Sequence, residues 1–135
     1  MNKLNCILLV DDDGTTNFLN YRIIKKLDIT DTIETAMNGD KAIQFITQYA
    51  FHNNNNSPEV ILLDLNMPGA DGFDFLTAYR KMDIANRTSV KIIVLSTSSH
   101  PRDITTIKDE YLGYINKPLT AEKLMAILNI PVRQS

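Results

Sequence analysis

Six polar residues of types that carry out chemistry follow short apolar runs of the chain. They are Asp11, Asp12, Asp13, Asp64, Ser96 and Lys117. Carboxylates held within a few ångströms raise one another's pKa values unless a cation compensates their charge. Oxygen ligands with no histidine or cysteine nearby suit Mg²⁺, which is commonly shared with a phosphate. A lysine and a hydroxyl beside them would stabilise a phosphoryl group, so these residue types indicate phosphoryl transfer to a nucleophilic aspartate.

The apolar runs in front of these residues predict strands of a parallel sheet. The runs are residues 6–10, 60–63, 90–95 and 111–115, with a weaker one at 33–36. Unbroken apolar runs are typical of strands that are buried on both faces. Because parallel strands end at the same edge of a sheet, we expect Asp11, Asp64, Ser96 and Lys117 to lie together there.

Helical spacing of apolar residues between these runs predicts helices that alternate with the strands. In the first, after Gly14, we expect Leu19, Ile23 and Leu27 to face the core and Arg22, Lys25 and Lys26 to face water. The other predicted helices run from Asn38-Gly39-Asp40 to about Tyr49, from Asp71-Gly72 onward, briefly after Pro101, and from an N-cap at Thr120. Alternating strands and helices predict a doubly wound α/β fold with helices on both faces.

Length, charge and cysteine content narrow the classes of function. A chain of 135 residues is one domain by length, and its net charge of −2, without a basic run, argues against direct binding of nucleic acid or membrane. The single cysteine, Cys6, lies in an apolar run, which favours a reducing, cytoplasmic setting. No signal peptide or membrane span is predicted, and the Asn-rich segment 52–57 is expected to be a surface loop.

Four segments resemble the motifs of receiver domains of two-component response regulators, in the family's order. They are 8–13, 61–68 with Asp71-Gly72, 93–96 and 113–118. The resemblance implies the single-domain, CheY-like type with a flavodoxin-like fold, whose five parallel strands have the order 2-1-3-4-5. It also implies one receiver domain over residues 1–135, with a core of about 5–130. Because the chain ends soon after the last predicted helix, we expect no output domain.

The same resemblance implies a role for each residue at the strand ends. Asp64 would be the phosphoacceptor and Lys117 would pair with the phosphoryl group. Mg²⁺ would be held by Asp11, Asp12, Asp64 and the backbone carbonyl of Asn66. The Lys117–Pro118 peptide bond is usually cis in this family. No organic cofactor is implied.

In this family the site also controls a switch. Ser96 matches the hydroxyl switch position and Tyr114 the aromatic switch position, with a signalling surface over about Ile104–Leu128. The implied partners are a histidine kinase or histidine phosphotransfer protein and a downstream protein, with the chain a monomer or a phosphorylation-dependent dimer. Segments 95–99 and 102–104 resemble single-domain receivers paired with phytochrome-type sensor kinases. Beyond accepting and losing its own phosphoryl group, the protein is not expected to be an enzyme.

Two other functions are compatible with part of the pattern. Residues Asp11 to Thr15 fit the nucleophile motif of haloacid dehalogenase-like phosphatases, in which Asp11 would be the nucleophile. That class needs further acidic metal ligands after the lysine, and only Glu122 follows Lys117. A receiver that binds partners without being phosphorylated is the second alternative. Transfer of phosphate to Asp64 or to Asp11, and affinity for Mg²⁺, separate the three functions.

Overall fold

The structure of the chain, a computed structural model, describes residues 4–51, 59–64, 72–81, 90–96 and 112–129. Its strands are β1 (Ile7–Val10), β2 (Ile33–Ala36), β3 (Val60–Asp64), β4 (Lys91–Ser96) and β5 (Leu112–Asn116). Its helices are α1 (Gly14–Leu27), α2 (Gly39–Phe51), α3 (Gly72–Lys81) and α4 (Ala121–Ile127). These elements confirm the predicted alternation. The helix predicted after Pro101, the loop 52–57 and Asn66 lie outside the described residues.

The five strands form one parallel sheet in the order β2-β1-β3-β4-β5, as predicted. Val10 of β1 lies beside Leu63 of β3, and Asp64 lies beside Leu95 of β4. Asp11, the residue after Val10, and Ser96, the last residue of β4, therefore lie at the same edge of the sheet as Asp64. Within the described residues, no helix is long and apolar enough to span a bilayer.

Apolar side chains of the sheet pack against helices on both of its faces. Leu8 and Val10 of β1 belong to a buried cluster with residues of α2 and α3, whereas Ile7 and Leu9 belong to one with residues of α1 and α4. Successive side chains of a strand point to opposite faces, so an unbroken apolar strand supplies both clusters. Each fully buried aliphatic side chain contributes about 1.5–3 kcal/mol. The doubly wound fold is thereby confirmed.

The inner face of α1 differs from the predicted one. Its buried residues are Asn17, Asn20 and Ile24, while Leu19 is 52% exposed and Ile23 is half-buried. The expectation that Leu19 faces the core is therefore wrong. The side chain of Asp13 caps the helix, and Asn17, four residues on, turns inward and binds the end of β1. Ile24 and Leu27 pack against the core on the same side as the Asn17 bond, so this face of α1 points inward and Leu19 lies outside.

The last helix is held close to β5 by a glycine and a capping threonine. A Cβ atom at Gly113 would lie 2.5 Å from Cδ1 of Ile127, so the bare backbone lets α4 pack against the strand. Thr120, the predicted N-cap, accepts a hydrogen bond from the backbone N–H of Lys123 at 3.2 Å. The short connection 117–119, which carries Lys117, is therefore fixed at both ends.

Candidate functional site

Three carboxylates meet at the carboxyl edge of the sheet. Asp11 follows β1 and Asp64 ends β3, and they are 3% and 2% exposed. Asp12 is exposed. One oxygen from each of the three lies within 4.8 Å of the others. Since two of the acids are buried, their charge needs a nearby cation.

Lys117 supplies a positive charge from the end of β5. Its Nζ lies 3.0 Å from Oδ1 of Asp64 and 3.6 Å from Oδ2 of Asp11, and its side chain is 21% exposed. Burial alone would lower the pKa of Lys117, but the hydrogen bond to Asp64 and the charges of both acids outweigh it and raise this pKa. Lys117 is therefore fully protonated at neutral pH.

Asp11 has the environment of a metal ligand. Burial raises its pKa, the neighbouring charge of Asp64 raises it further, and a hydrogen bond from the N–H of Asp13 to Oδ1, at 2.9 Å, works in the opposite direction. Its other oxygen, Oδ2, is buried and accepts no hydrogen bond from the described residues. A buried carboxylate oxygen whose nearest described cation is 3.6 Å away, beside two further carboxylates, fits a hard divalent cation such as Mg²⁺.

Asp13 lies outside this three-acid cluster and caps α1 instead. Its Oδ2 accepts a hydrogen bond from the hydroxyl of Thr16 at 2.8 Å, and its Oδ1 accepts one from the N–H of Thr15 at 3.0 Å. These bonds, the first being the stronger influence, lower the pKa of Asp13. The third acid of the run thus orders the helix that follows the site.

Ser96 ends β4, the strand next to β3, and Tyr114 lies on β5, one strand further out. Ser96 is 1% exposed at the end of β4, and its carbonyl accepts a hydrogen bond from the N–H of Lys117 at 2.9 Å. Tyr114 is half-buried, and its hydroxyl donates to Oδ1 of Asn116 at 2.8 Å. The Lys117–Pro118 peptide bond is cis, as expected. All the predicted site residues that the structure describes therefore lie at one edge of the sheet or on the adjoining strand.

Two residues near the site were missed by the sequence analysis. Asn17 donates from Nδ2 to the carbonyl of Asp11 at 2.9 Å. Lys123 donates to the carbonyls of Asn116 and Pro118, at 3.0 and 3.1 Å, on either side of Lys117. The sequence alone does not show that Asn17 faces inward, because this depends on the rotation of α1. Lys123 carries no signal that distinguishes it from other surface lysines.

A groove of about 900 Å³ lies beside Lys117, between α1 and the connection that follows β5. Its lining combines the apolar residues Leu19, Ile23 and Leu119 with the basic residues Arg22 and Lys26. Leu19 and Arg22 are exposed. The groove thus has apolar and basic walls, and it reaches Lys117, whose Nζ pairs with the buried Asp64.

The sequence of the chain matches a known protein family and several curated proteins. The sequence family described as "Response regulator receiver domain" matches residues 7–129. The nitrate/nitrite response regulator protein NarL of Escherichia coli K12 is 31% identical to the chain over 124 residues, which make up 91% of the chain and 52% of NarL. The chain thus spans about half the length of this relative.

Solved structures share the fold over nearly all of the chain. A two-component response regulator from Cytophaga hutchinsonii matches with a TM-score of 0.84 and 29% identity, and the match covers 95% of this chain and 96% of that one. The bacteriophytochrome response regulator AtBRR matches with a TM-score of 0.76 and 21% identity, covering 94% and 91% of the two chains. The second likeness is one of fold alone.

Proposed function

This chain belongs to the response regulator receiver domain family, and on that premise we propose that Asp64 accepts a phosphoryl group in the presence of Mg²⁺. The family consists of signalling domains rather than classical enzymes, and a receiver domain implies a histidine kinase or a histidine phosphotransfer protein as donor. The proposed receiver unit is about residues 5–130. Its own chemistry would be limited to gaining and losing this phosphoryl group.

The observation that carries the proposal is the placement of Asp64 among groups of both charges. Asp64 is 2% exposed, and its carboxylate lies 3.0 Å from Nζ of Lys117, in a cluster with the carboxylates of Asp11 and Asp12. A buried carboxylate with a cation on one side and two acids on the other is suited to a reaction in which a metal and a phosphoryl group arrive together.

In the proposed reaction, a carboxylate oxygen of Asp64 attacks the phosphorus of a phosphohistidine. The new O–P bond forms as the P–N bond breaks, and its electron pair leaves with the imidazole nitrogen. Asp11, Asp12, Asp64 and the carbonyl of Asn66 would hold Mg²⁺, which supplies positive charge to the phosphoryl oxygens. The Lys117 ammonium would pair with another of these oxygens, and loss of the group would be attack of water on the same phosphorus.

The proposed output is a shift between two arrangements of Ser96 and Tyr114. A phosphoryl group adds acceptor oxygens at Asp64, which Ser96 could bond in one arrangement only. Ser96 ends the strand beside β5, and β5 carries Tyr114. The signal would pass to another protein through that side of the molecule, or onward by phosphotransfer.

The groove beside Lys117 supports a protein as phosphodonor. A helix of the donor could cover Leu19 and Ile23 and bring a phosphohistidine to Asp64. A phytochrome-type sensor kinase is the more specific proposal, resting on the resemblance of segments 95–99 and 102–104. The lone cysteine, Cys6, is buried directly before β1 and forms no disulfide, which supports a reducing, cytoplasmic location.

The test is the intact mass of the protein after incubation with acetyl phosphate and Mg²⁺, repeated for Asp64→Asn and Asp11→Asn. A gain of one phosphoryl group that disappears in Asp64→Asn is the expected result. No gain in any sample, with Mg²⁺ still bound, would favour a receiver that only binds partners. A label that persists in Asp64→Asn and disappears in Asp11→Asn would instead indicate a phosphatase with Asp11 as nucleophile.

A further inference from the structure

We infer that Asn17 is a positioning residue for the Mg²⁺ site, because it holds Asp11 through the main-chain carbonyl. This inference rests on the proposed function. Asn17 is 4% exposed on the inner face of α1, and its Nδ2 donates to the carbonyl of Asp11 at 2.9 Å. Among the described residues it makes no hydrogen bond to a carboxylate oxygen of the three acids, so we expect it to act on the site through the main chain of Asp11.

Three hydrogen bonds fix the orientation of Asp11. Its N–H donates to the carbonyl of Ala36 at 3.1 Å, its carbonyl accepts from Asn17, and its Oδ1 accepts from the N–H of Asp13 at 2.9 Å. The first two bonds hold the main chain of Asp11, the third holds Oδ1, and Oδ2 lies on the side of Lys117, 3.6 Å from its Nζ. Of the three bonds, only the one from Asn17 comes from a side chain. This bond can therefore be removed by substituting Asn17, with the residue Asp11 itself kept.

The amide of Asn17 is held in the interior with only part of its hydrogen-bonding capacity used. Its Oδ1 is buried and accepts no hydrogen bond from the described part of the chain. Its only other contact of this kind is a weak one from Nδ2 to Sδ of Met37, at 3.7 Å. Leucine has a similar size and would bring no unpaired amide oxygen into the interior, but it would take the donor from the carbonyl of Asp11. The amide is therefore suited to its bond with Asp11 rather than to packing.

Groups that orient metal ligands affect affinity strongly. Loss of such an outer hydrogen bond typically weakens metal binding about 10- to 100-fold. For Asn17→Leu we expect a Kd for Mg²⁺ raised by about 10-fold, since the two other bonds to Asp11 remain. Once saturated with Mg²⁺, the variant should be phosphorylated by acetyl phosphate at a rate close to that of the unchanged protein.

The experiment is calorimetric titration of the full chain with Mg²⁺, alongside the dependence of phosphorylation rate on Mg²⁺ concentration and the Tm of each sample. Asn17→Ala serves as a second variant if the leucine packs badly. Asn20→Leu is the matched control, because it removes another buried amide from the same face of α1. Met37→Leu removes the sulfur contact and keeps the bond to Asp11. Both controls should keep the original Kd.

The outcomes separate this inference from the proposed function. A Kd that is unchanged in Asn17→Leu and Asn17→Ala overturns the inference, as does an equal rise in Asn20→Leu, which would indicate a general effect of burial. A loss of the phosphorylation plateau, and not only a shift in half-saturation, would also contradict a role through Mg²⁺ affinity alone. If the unchanged protein binds no Mg²⁺, the proposed function fails first.

Discussion

Asp11→Asn is expected to stabilise the metal-free protein and to remove its response to Mg²⁺. The site holds two buried acids and one cation, so it carries an excess negative charge when no metal is bound. Neutralising Asp11 leaves Lys117 paired with Asp64, so the remaining buried acid of the described site keeps a partner. Asparagine also keeps an oxygen that can accept the hydrogen bond from Asp13. The change therefore lowers charge without opening a cavity.

The size of the effect follows from three contributions. At an effective dielectric constant of about 20, the attraction between Lys117 and Asp11 across 3.6 Å is about 5 kcal/mol. The repulsion between Asp11 and Asp64, whose oxygens lie within 4.8 Å, is about 3–4 kcal/mol. The attraction shrinks because Lys117 is 21% exposed, so the attraction and the repulsion nearly cancel. The cost of burying the Asp11 charge then decides the sign, and we expect a net gain of about 1–2 kcal/mol.

Thermal unfolding in EDTA and in excess Mg²⁺ measures both halves of this prediction. In EDTA the Tm of Asp11→Asn should rise by about 3–6 °C, at about 3 °C per kcal/mol for a chain of this size. A metal at 100 times its Kd stabilises by about 2.7 kcal/mol, so the unchanged protein should overtake the variant in Mg²⁺. Asp12→Asn is the control, because Asp12 is exposed. It should change the Tm in EDTA little.

The stability gained in Asp11→Asn should depend on pH in one direction. Burial raises the pKa of Asp11 above its ordinary value of 3.8, so the stability from its neutral form is present below pH 3.8 and is lost as pH rises through the raised pKa. The Tm gap between Asp11→Asn and the unchanged protein in EDTA should therefore widen with pH over that interval. A Tm that falls in Asp11→Asn at pH 7 would show that the attraction to Lys117 outweighs burial, and it would refute this reasoning.

Three further changes test other parts of the molecule. Lys117→Met leaves two buried acids without a cation, so in EDTA it should lose about 2–4 kcal/mol in denaturant unfolding, a loss that Mg²⁺ should partly restore. Leu19→Lys should slow phosphotransfer from a histidine phosphotransfer protein about 10-fold and leave phosphorylation by acetyl phosphate unchanged; equal slowing of both would contradict a docking role. Burial, with a smaller effect of Glu34, raises the pKa of Cys6 to about 12, so the stability from its neutral thiol should be lost between pH 9.0 and about 12. Chemical unfolding over this interval should show a slope that Cys6→Ala removes.

The strand ends could be read from the sequence because one physical rule decides them. An apolar run that is buried on both faces must stop where the chain returns to water, and a polar residue marks that place. The rule located Asp11, Asp64 and Ser96 without knowledge of any contact, and parallel strands then required the three to share an edge. The motif resemblance added the strand order, which apolar periodicity alone does not specify.

The rotation of α1 could not be read in the same way. Leu19, Ile23 and Leu27 are spaced like an inner face, and Leu27 does pack against the buried cluster, but Leu19 is exposed and Asn17, Asn20 and Ile24 are the residues buried. Hydrophobic spacing predicts the inner face of a helix only when no specific polar bond competes. Here Asp13 caps α1 and Asn17 donates a hydrogen bond to the carbonyl of Asp11. The rotation of α1 that buries Asn17 also places Leu19 in the wall of the groove beside Lys117. The wrong prediction for Leu19 and the apolar wall of the groove therefore have the same cause.

Lys117 connects the candidate site to β4 through two different groups. Its ammonium lies 3.0 Å from Asp64, and its backbone N–H donates to the carbonyl of Ser96 at 2.9 Å. Lys123 holds the carbonyls on either side of it, so the backbone at Lys117 has little freedom to follow a new charge at Asp64. The four-carbon side chain of Lys117 can adjust instead, since it has several rotatable bonds. Any displacement caused by phosphorylation should therefore appear in side chains around Asp64 and Ser96 before it appears in the backbone of residues 116–118.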